Sequence, residues 1–233
     1  MVSVHSFSEV GGHLHNEDAF AVQSHPSNGE LIFCCVADGQ GGRSGGGRAA
    51  RLACRIATEL VVNLSPARLM DPLTWTDVLR RIDEAVEADD AAGFTTFVGL
   101  CWCDNRLVGA SSGDSAALLL CEGEAIELTR GQRKNPPVGS GAASAVTFEA
   151  VVDRSARVLV LTDGVWKYVG WNRVIETARG ERGDALIAAL QVPARLPGSG
   201  KFQDDFTVIL LQPAQIGIVA GSGTEATTYA GRN

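Results

Sequence analysis

The sequence predicts an α+β fold in which two mainly antiparallel sheets pack face to face and helices cover their outer faces. The apolar segments form two sets of short strands, with helical patterns inserted between them. Several links between neighbouring strands, such as Asp104-Asn105 and Glu122-Gly123, are short enough for hairpins, which favours antiparallel pairing. Two stacked sheets with helices outside are the simplest way to bury all of these apolar faces.

The N-terminal part of the chain predicts three strands followed by a helix. Residues 2–10 alternate loosely, residues 19–23 follow a turn, and residues 31–37 are a continuous apolar run, which indicates burial on both faces. Pro26 and Asn28-Gly29 are a hairpin signal between the second and third strands. From about residue 44, apolar residues recur at helical spacing until Ser65-Pro66 ends the helix.

The remainder of the chain predicts a second helix, a run of strands and a helical region before the last strand. Thr74 or Thr76 is the expected cap of the second helix, which ends near residue 88. The predicted strands are residues 95–103, 106–112, 116–121, 125–128, 146–152, 157–161 and 206–211, and the predicted helices are 174–179 and 184–190. Residues 130–144 and 192–203 lack periodicity and are expected to be loops. We therefore expect one domain over residues 1–212 and a flexible tail over 213–233, which is rich in Gly, Ser, Thr and Ala.

The composition describes an ordinary globular chain and limits its partners. The chain has 233 residues, 45% of them hydrophobic and 20% charged, with a formal net charge of −7. This negative charge argues against nucleic acid or an anionic membrane as the main partner. No apolar segment approaches the roughly 20 residues of a membrane helix, and the first ten residues do not resemble a signal peptide. The six cysteines contain no C-x-x-C pair, which is typical of thiols in a reducing cytosol, so we expect a cytoplasmic protein.

Acidic residues lie at the ends of three predicted strands. Asp38 follows a buried strand and precedes a glycine-rich turn, and Asp163-Gly164 and Asp204-Asp205 also stand at strand ends. Glu17-Asp18 adds a fourth acidic pair. A carboxylate at the end of a core strand is costly unless it is paired or holds a metal. Because carboxylate and carbonyl oxygens suit hard divalent ions, these residues predict a cation site.

Five short motifs, most of them centred on these acidic residues, follow one another along the chain. They are Asn16-Glu17-Asp18-Ala19, Val36-Ala37-Asp38-Gly39-Gln40-Gly41-Gly42 with Gly45-Gly46, Gly113-Asp114-Ser115, Leu161-Thr162-Asp163-Gly164-Val165-Trp166, and Asp204-Asp205-Phe206-Thr207-Val208. Each motif alone is weak, because Asp-Gly turns are common. Their order and spacing together resemble the metal-dependent serine/threonine protein phosphatases of type 2C, in the single-domain bacterial form, and the resemblance spans residues 3–211.

The resemblance implies a four-layer α-β-β-α sandwich with two divalent cations, Mn²⁺ or Mg²⁺, at one end of the sheets. It further implies hydrolysis of phosphoserine or phosphothreonine on proteins by water that the two metals activate. The substrate would be a phosphorylated protein, the target of a serine/threonine kinase in signal transduction. The chain would then be a hydrolase of phosphoric monoesters, and it would need neither a serine nor a cysteine nucleophile.

The resemblance also implies a role for each motif residue. Asp38 would bridge both metals and activate water, and Gly39 would offer its carbonyl oxygen. Asp163 and Asp204 would hold one metal, and Glu17 would serve the other through water. The positions near this centre are those of Asp18 and Asp114, and Asp114 is also a candidate ligand of a third, weaker ion. Asp204 and Asp205 are ambiguous with each other, and motif position favours Asp204.

One departure from the family pattern affects the expected activity. His13 stands where the family usually has an arginine that grips the substrate phosphate, and a neutral imidazole is a poorer clamp than a guanidinium. His13, His15 and Arg43 are the candidates for that contact. The departure leaves an alternative open: a pseudophosphatase that binds phosphoproteins with little turnover. A phosphatase of small phosphoesters is a third hypothesis.

Overall fold

A computed structural model describes residues 1–40, 45–121 and 123–214. The strands in these segments are β1 (Val2–Glu9), β2 (Asp18–His25), β3 (Asn28–Asp38), β4 (Phe97–Cys103), β5 (Arg106–Ser112), β6 (Ala116–Cys121), β7 (Glu124–Glu127), β8 (Val146–Val151), β9 (Arg157–Leu161) and β10 (Phe206–Pro213). The helices are α1 (Gly46–Asn63), α2 (Pro66–Leu69), α3 (Pro72–Glu87), α4 (Asp163–Val169), α5 (Trp171–Gly180) and α6 (Gly183–Ala194).

Two five-stranded sheets form the centre of the fold. One has the order β1-β10-β9-β6-β7 and the other β2-β3-β4-β5-β8, and every pairing within them is antiparallel. Helices α1 and α3 pack on the second sheet, and α4 to α6 pack on the first. The predicted α+β fold, with two antiparallel sheets flanked by helices, is confirmed.

Three apolar clusters separate the four layers. On β3, Phe33 and Cys35 pack towards the helices, whereas Cys34 and Val36 pack towards the other sheet, because side chains alternate along a strand. The cluster between the sheets also contains Leu100 of β4. Burial on both faces explains why this strand is a continuous apolar run.

Between α1 and α3, the structure differs from the prediction in two features, the short helix α2 and the residue that caps α3. Residues 66–69, which the sequence left unassigned, form α2, because a proline that ends one helix suits the first turn of the next. The cap of α3 is Asp71 rather than Thr74 or Thr76, and its carboxylate accepts a hydrogen bond of 3.0 Å from the Leu73 amide. An aspartate directly before a proline is the stronger start signal here, so the threonine prediction was wrong.

The C-terminal elements differ from their predictions in three places. The short helix α4 was not predicted, because its seven residues are too few to show helical periodicity. Helix α6 continues to Ala194, into the predicted loop. Pro213, assigned to the tail, ends β10 opposite Val2 of β1. The rest of the predicted tail, from residue 215, lies outside the described residues, and no helix within those residues is both long and apolar enough for a membrane span.

Residues 130–144 contain no helix or strand, as predicted, but their second half is not simply an exposed loop. The buried carboxylate of Asp83 on α3 accepts hydrogen bonds of 2.6–3.3 Å from the backbone amides of Gly139, Ser140, Gly141 and Ala143. This carboxylate therefore holds the half of the loop that follows Lys134, Asn135 and Pro137, which line the cavity described below.

We expect Asp83→Ala to lower the free energy of unfolding by about 3 kcal/mol, because several backbone amides lose a buried charged acceptor. Urea unfolding followed by circular dichroism measures the change. Asp77→Ala on the same helix is the matched control, since Asp77 is an exposed partner of Arg80, and we expect it to cost under about 1 kcal/mol. Equal losses in the two variants would contradict the anchoring role.

Candidate metal centre

One end of the sandwich holds a cavity of about 300 Å³ lined by four aspartates: Asp38, Asp114, Asp163 and Asp204. Their positions follow from the strand order, because neighbouring antiparallel strands bring opposite ends to the same edge of a sheet. In the first sheet, the end of β9 lies between the start of β10 and the start of β6. In the second sheet, the start of β2 lies beside the end of β3. Residues distant in sequence thus meet at one edge of the sandwich.

Asp38 ends β3 with its backbone fully engaged. Its amide donates to the Thr96 hydroxyl at 2.9 Å, and its carbonyl accepts from the Thr96 amide at 2.9 Å and the Thr95 hydroxyl at 2.8 Å. The carboxyl group faces the cavity. Burial, reinforced by the charges of Asp18 and Asp163, raises the pKa of Asp38 to about 10. The backbone hydrogen bonds thus fix Asp38 at a buried position, where the charged form of its carboxyl group is destabilised.

Asp18 pairs directly with Asp38 across β2 and β3, but it lies outside the cavity lining. Its side chain is buried, and its Oδ2 accepts a 2.8 Å hydrogen bond from the Thr162 hydroxyl. Burial raises the pKa of Asp18 to about 7, although bonds from Thr207 and Thr162 oppose the shift. Asp18 therefore lies beside Asp38 on the neighbouring strand, buried outside the cavity lining.

Two lysines that sequence reasoning missed pair with the cavity carboxylates. Lys167, one turn after Asp163 on α4, forms an ion pair with the Asp163 Oδ2 atom. Lys134 Nζ donates to Asp114 Oδ2 at 2.6 Å. The i, i+4 spacing of Asp163 and Lys167 is visible in the sequence, but it indicates a contact only once α4 is known to be a helix.

His13 lines the cavity, on the link between β1 and β2, and its side chain is 40% exposed. Its Nδ1 atom lies 3.4 Å from Asp205 Oδ2 and 3.9 Å from Asp204 Oδ1. Partial burial lowers the pKa of His13, but the hydrogen bond with Asp205 and the neighbouring carboxylates raise it above 6.5 overall. Of the other candidates for the phosphate contact, His15 is exposed, and Arg43 lies outside the described residues.

Asp205 binds the backbone of the link between β1 and β2, which carries His13. Its buried carboxylate accepts hydrogen bonds from the Gly11 amide at 2.8 Å and the Glu17 amide at 2.6 Å. Asp204 lines the cavity instead, and burial raises its pKa above the ordinary value. The two neighbouring aspartates thus point to different environments, one in the cavity and the other bonded to the backbone.

Glu17 and Gly39 are adjacent, but only Gly39 lines the cavity. The Gly39 amide donates to the Glu17 carbonyl at 3.2 Å, so the two motifs meet through their backbones. A side chain at Gly39 would overlap the backbone of Gly46 and Gly47 at the start of α1, which explains the need for glycine here. Glu17 itself is half-buried beside the cavity.

The carboxylates share this cavity without forming a complete ligand set. Across residues 1–40, 45–121 and 123–214, no three His, Cys, Asp or Glu side chains stand together in a group that could hold a metal ion. The donor chemistry nevertheless fits a hard divalent ion, since buried carboxyl groups with raised pKa values are those that a cation would stabilise in the charged form.

Solved serine/threonine phosphatases share this sandwich architecture. The chain is similar to the Mycobacterium tuberculosis phosphatase PstP/Ppp, with 20% identity, a TM-score of 0.76, and coverage of 92% of this chain and 99% of that one. It is also similar to Stp1 from Staphylococcus aureus, with 18% identity, a TM-score of 0.74, and coverage of 92% and 96%. A catalytic domain of PstP in complex with two manganese ions matches with 21% identity, a TM-score of 0.74, and coverage of 91% and 97%.

The comparisons define the class of protein. The family model described as Protein phosphatase 2C matches residues 8–179, whereas no curated protein matches the chain. The chain belongs to the protein phosphatase 2C family, and its class of enzyme is protein serine/threonine phosphatase. The family resemblance that the five motifs indicated is confirmed.

Proposed function

We propose that the chain removes phosphate from phosphoserine and phosphothreonine on proteins, using two divalent cations, Mn²⁺ or Mg²⁺, held at the acidic cavity. The observation that carries this proposal is the meeting of Asp38, Asp163 and Asp204 at one cavity in a member of the protein phosphatase 2C family. The similar PstP catalytic domain in complex with two manganese ions supports the choice of cation.

The ligand assignment follows the positions of the carboxylates. Asp38 would bind both ions, together with the carbonyl oxygen of Gly39. The ion on the α4 side would be held by Asp163 and Asp204. Glu17 and the buried Asp18 would support the other ion from the β2 side, and Asp114 would serve a third, weaker ion.

Hydrolysis would proceed by direct attack of water on the phosphoryl group. Two bound divalent ions would lower the pKa of a shared water and neutralise the phosphate oxygens. The described lining residues include no cysteine or serine, and the hydroxyl of Thr95 donates to the Asp38 carbonyl. Asp38 would position the cations, and the open side of the cavity would admit a phosphorylated side chain.

His13 is the proposed phosphate contact, because it lines the cavity and its side chain is 40% exposed to solvent. A positive imidazole there would pair with the phosphate, and the neighbouring carboxylates favour that charged form. We expect His13→Arg to lower KM for a phosphothreonine peptide by about tenfold, because a guanidinium binds phosphate through two parallel hydrogen bonds. Steady-state kinetics measure the change, with His15→Arg as the matched exposed control, and an unchanged KM would contradict the role of His13.

The proposed partner is a phosphorylated protein that a serine/threonine kinase modifies in signal transduction. The net charge of −7 disfavours nucleic acid and anionic membranes as partners. No disulfide joins the cysteines in the described part of the chain, in keeping with the proposed cytoplasmic location. We also propose that residues 1–212 are the catalytic unit and that residues 213–233, apart from the end of β10, are an accessory tail.

Hydrolysis assays on metal-stripped protein test the proposal. We expect release of phosphate from a phosphothreonine peptide and from p-nitrophenyl phosphate on addition of Mn²⁺ or Mg²⁺, and loss of both activities with excess EDTA. Cleavage of p-nitrophenyl phosphate alone would favour a phosphatase of small phosphoesters. Binding of the peptide without turnover at any divalent ion would contradict the proposed activity and favour a pseudophosphatase.

A further inference from the structure

We propose that Lys167 is a built-in counter-ion of the acidic cavity, whose ammonium group competes with a divalent cation for Asp163. The inference rests on the proposed function, since it concerns loading of the same site. Asp163 opens α4 as its first residue, and Lys167 follows four residues later on the same face of that helix. The ammonium group therefore reaches the carboxylate without any rearrangement of the backbone.

The Lys167–Asp163 pair is unlike the surface ion pairs of this protein. The Lys167 side chain is 40% exposed, but that of Asp163 is only 8% exposed and lines the cavity, whereas the Arg55–Glu59 pair, with the same spacing, exposes 62% and 53% of its side chains. Charges interact more strongly away from water, so the pair at Asp163 is harder to displace than a surface pair. An ordinary solvated helix pair would not sit among the ligands of a proposed metal site.

The effect of Lys167 extends beyond its direct partner. Lys167 lines the same cavity as Asp163, Asp114 and Asp204. Its positive charge therefore acts on three carboxylates on the α4 side of the cavity. In the described part of the chain, no lysine or arginine forms an ion pair with Asp38 or Asp204.

The start of α4 is held against the cavity wall, which keeps the backbone of Lys167 close to the carboxylates. The Trp166 indole donates to the Asp114 carbonyl at 2.9 Å and stacks on Trp171 with ring centroids 5.9 Å apart. Lys167 Nζ lies 5.9 Å from the centroid of the Trp166 ring. A cation that binds Asp163 must therefore displace an ammonium group that stays nearby and repels it.

The two sides of the cavity should consequently differ in cation affinity. On the β3 side, neither Asp38 nor the buried Asp18 forms an ion pair with a lysine among the described residues. On the α4 side, Lys167 occupies Asp163, and Lys134 occupies Asp114. The first cation would bind on the β3 side, and the second would bind more weakly, in competition with the lysines.

Titration of the metal-free full chain with Mn²⁺, followed by electron paramagnetic resonance of free Mn²⁺, tests this competition without an activity assay. We expect two classes of site in the unmodified chain. Lys167→Met should tighten the weaker class by about tenfold, because the competing charge is gone. Lys167→Arg, which keeps the charge, should bind nearly as the unmodified chain does. Lys201→Met is the matched control, since Lys201 lies outside the cavity lining, and it should change nothing.

Thermal unfolding with EDTA and with Mn²⁺ provides the second measurement. Without metal, Lys167→Met should unfold at a lower temperature than the unmodified chain, because the buried carboxylates lose their counter-ion. Saturating Mn²⁺ should raise its unfolding temperature by more than it raises that of the unmodified chain.

The outcomes separate this inference from the proposed function. If the unmodified chain binds Mn²⁺ and Asp163→Asn weakens that binding, but Lys167→Met leaves every affinity unchanged, the competition is disproved and the metal site stands. If Lys167→Met weakens the second class of site, Lys167 supports cation binding rather than opposing it, and the inference is again disproved. If no variant binds Mn²⁺, the proposed function and the inference fall together.

Discussion

Replacing Asp38 with asparagine is expected to lower Mn²⁺-dependent kcat by about a thousandfold, equivalent to about 4 kcal/mol of barrier. Asp38 is the proposed ligand of both cations, and a neutral amide cannot compensate their charge. Steady-state hydrolysis of p-nitrophenyl phosphate at saturating Mn²⁺ measures the loss. Asp90→Asn is the matched control, because Asp90 is exposed and lies outside the cavity lining, and it should retain full activity.

The same substitution should stabilise the metal-free protein at neutral pH. Burial raises the pKa of Asp38 to about 10, well above the 3.8 of an ordinary aspartate. A pKa raised in the folded state gives stability that is fully present below pH 4 and is lost as pH rises towards 10. At pH 7 much of that stability is lost, and a neutral asparagine avoids the loss. In EDTA, Asp38→Asn should therefore unfold at a higher temperature than the unmodified chain.

The combination of a lost activity and a raised stability is the specific expectation for Asp38. A variant that lost activity because it misfolded would unfold at a lower temperature instead. Full activity in Asp38→Asn would show that Asp38 is not a metal ligand, and it would overturn the proposed mechanism.

Asp205→Ala is expected to lower the free energy of unfolding by about 3 kcal/mol, because it leaves two partly buried backbone amides without their charged acceptor. The Asp205 side chain is 3% exposed and binds the amides of Gly11 and Glu17. Gly11 is pressed so closely on the Asp204 carbonyl that a side chain there would overlap it. The link that carries His13 and Glu17 therefore depends on Asp205, and urea unfolding measures the loss.

Asp205→Asn is the matched variant, since its single side-chain oxygen still accepts one of the two amides. We expect it to cost about 1 kcal/mol, a third of the loss in the alanine variant. The alanine variant should also raise KM for a phosphothreonine peptide, because His13 loses its support. Equal stabilities of the alanine variant and the unmodified chain would contradict a structural role for Asp205.

Elements with long periodic patterns were predictable from local sequence alone. The run that became β3 is apolar at every position because both of its faces are covered, and α1 shows its buried face at helical spacing. Shorter elements were not predictable, because the four residues of α2 and the seven of α4 are too few to show a period. The cap at Asp71 was missed because the two threonines that follow it are also common capping residues.

The sequence by itself determined the fold class, the phosphatase family and the acidic residues at the strand ends, because these depend on local patterns and on motif order. Only the tertiary structure decided that Asp204 lines the cavity while Asp205 holds the backbone, and that Lys167 pairs with Asp163. In a link between strands, side chains do not alternate regularly, so the sequence does not show in which direction each one points. Their directions are set by strand register and by contacts between residues up to 194 positions apart, such as Gly11 and Asp205.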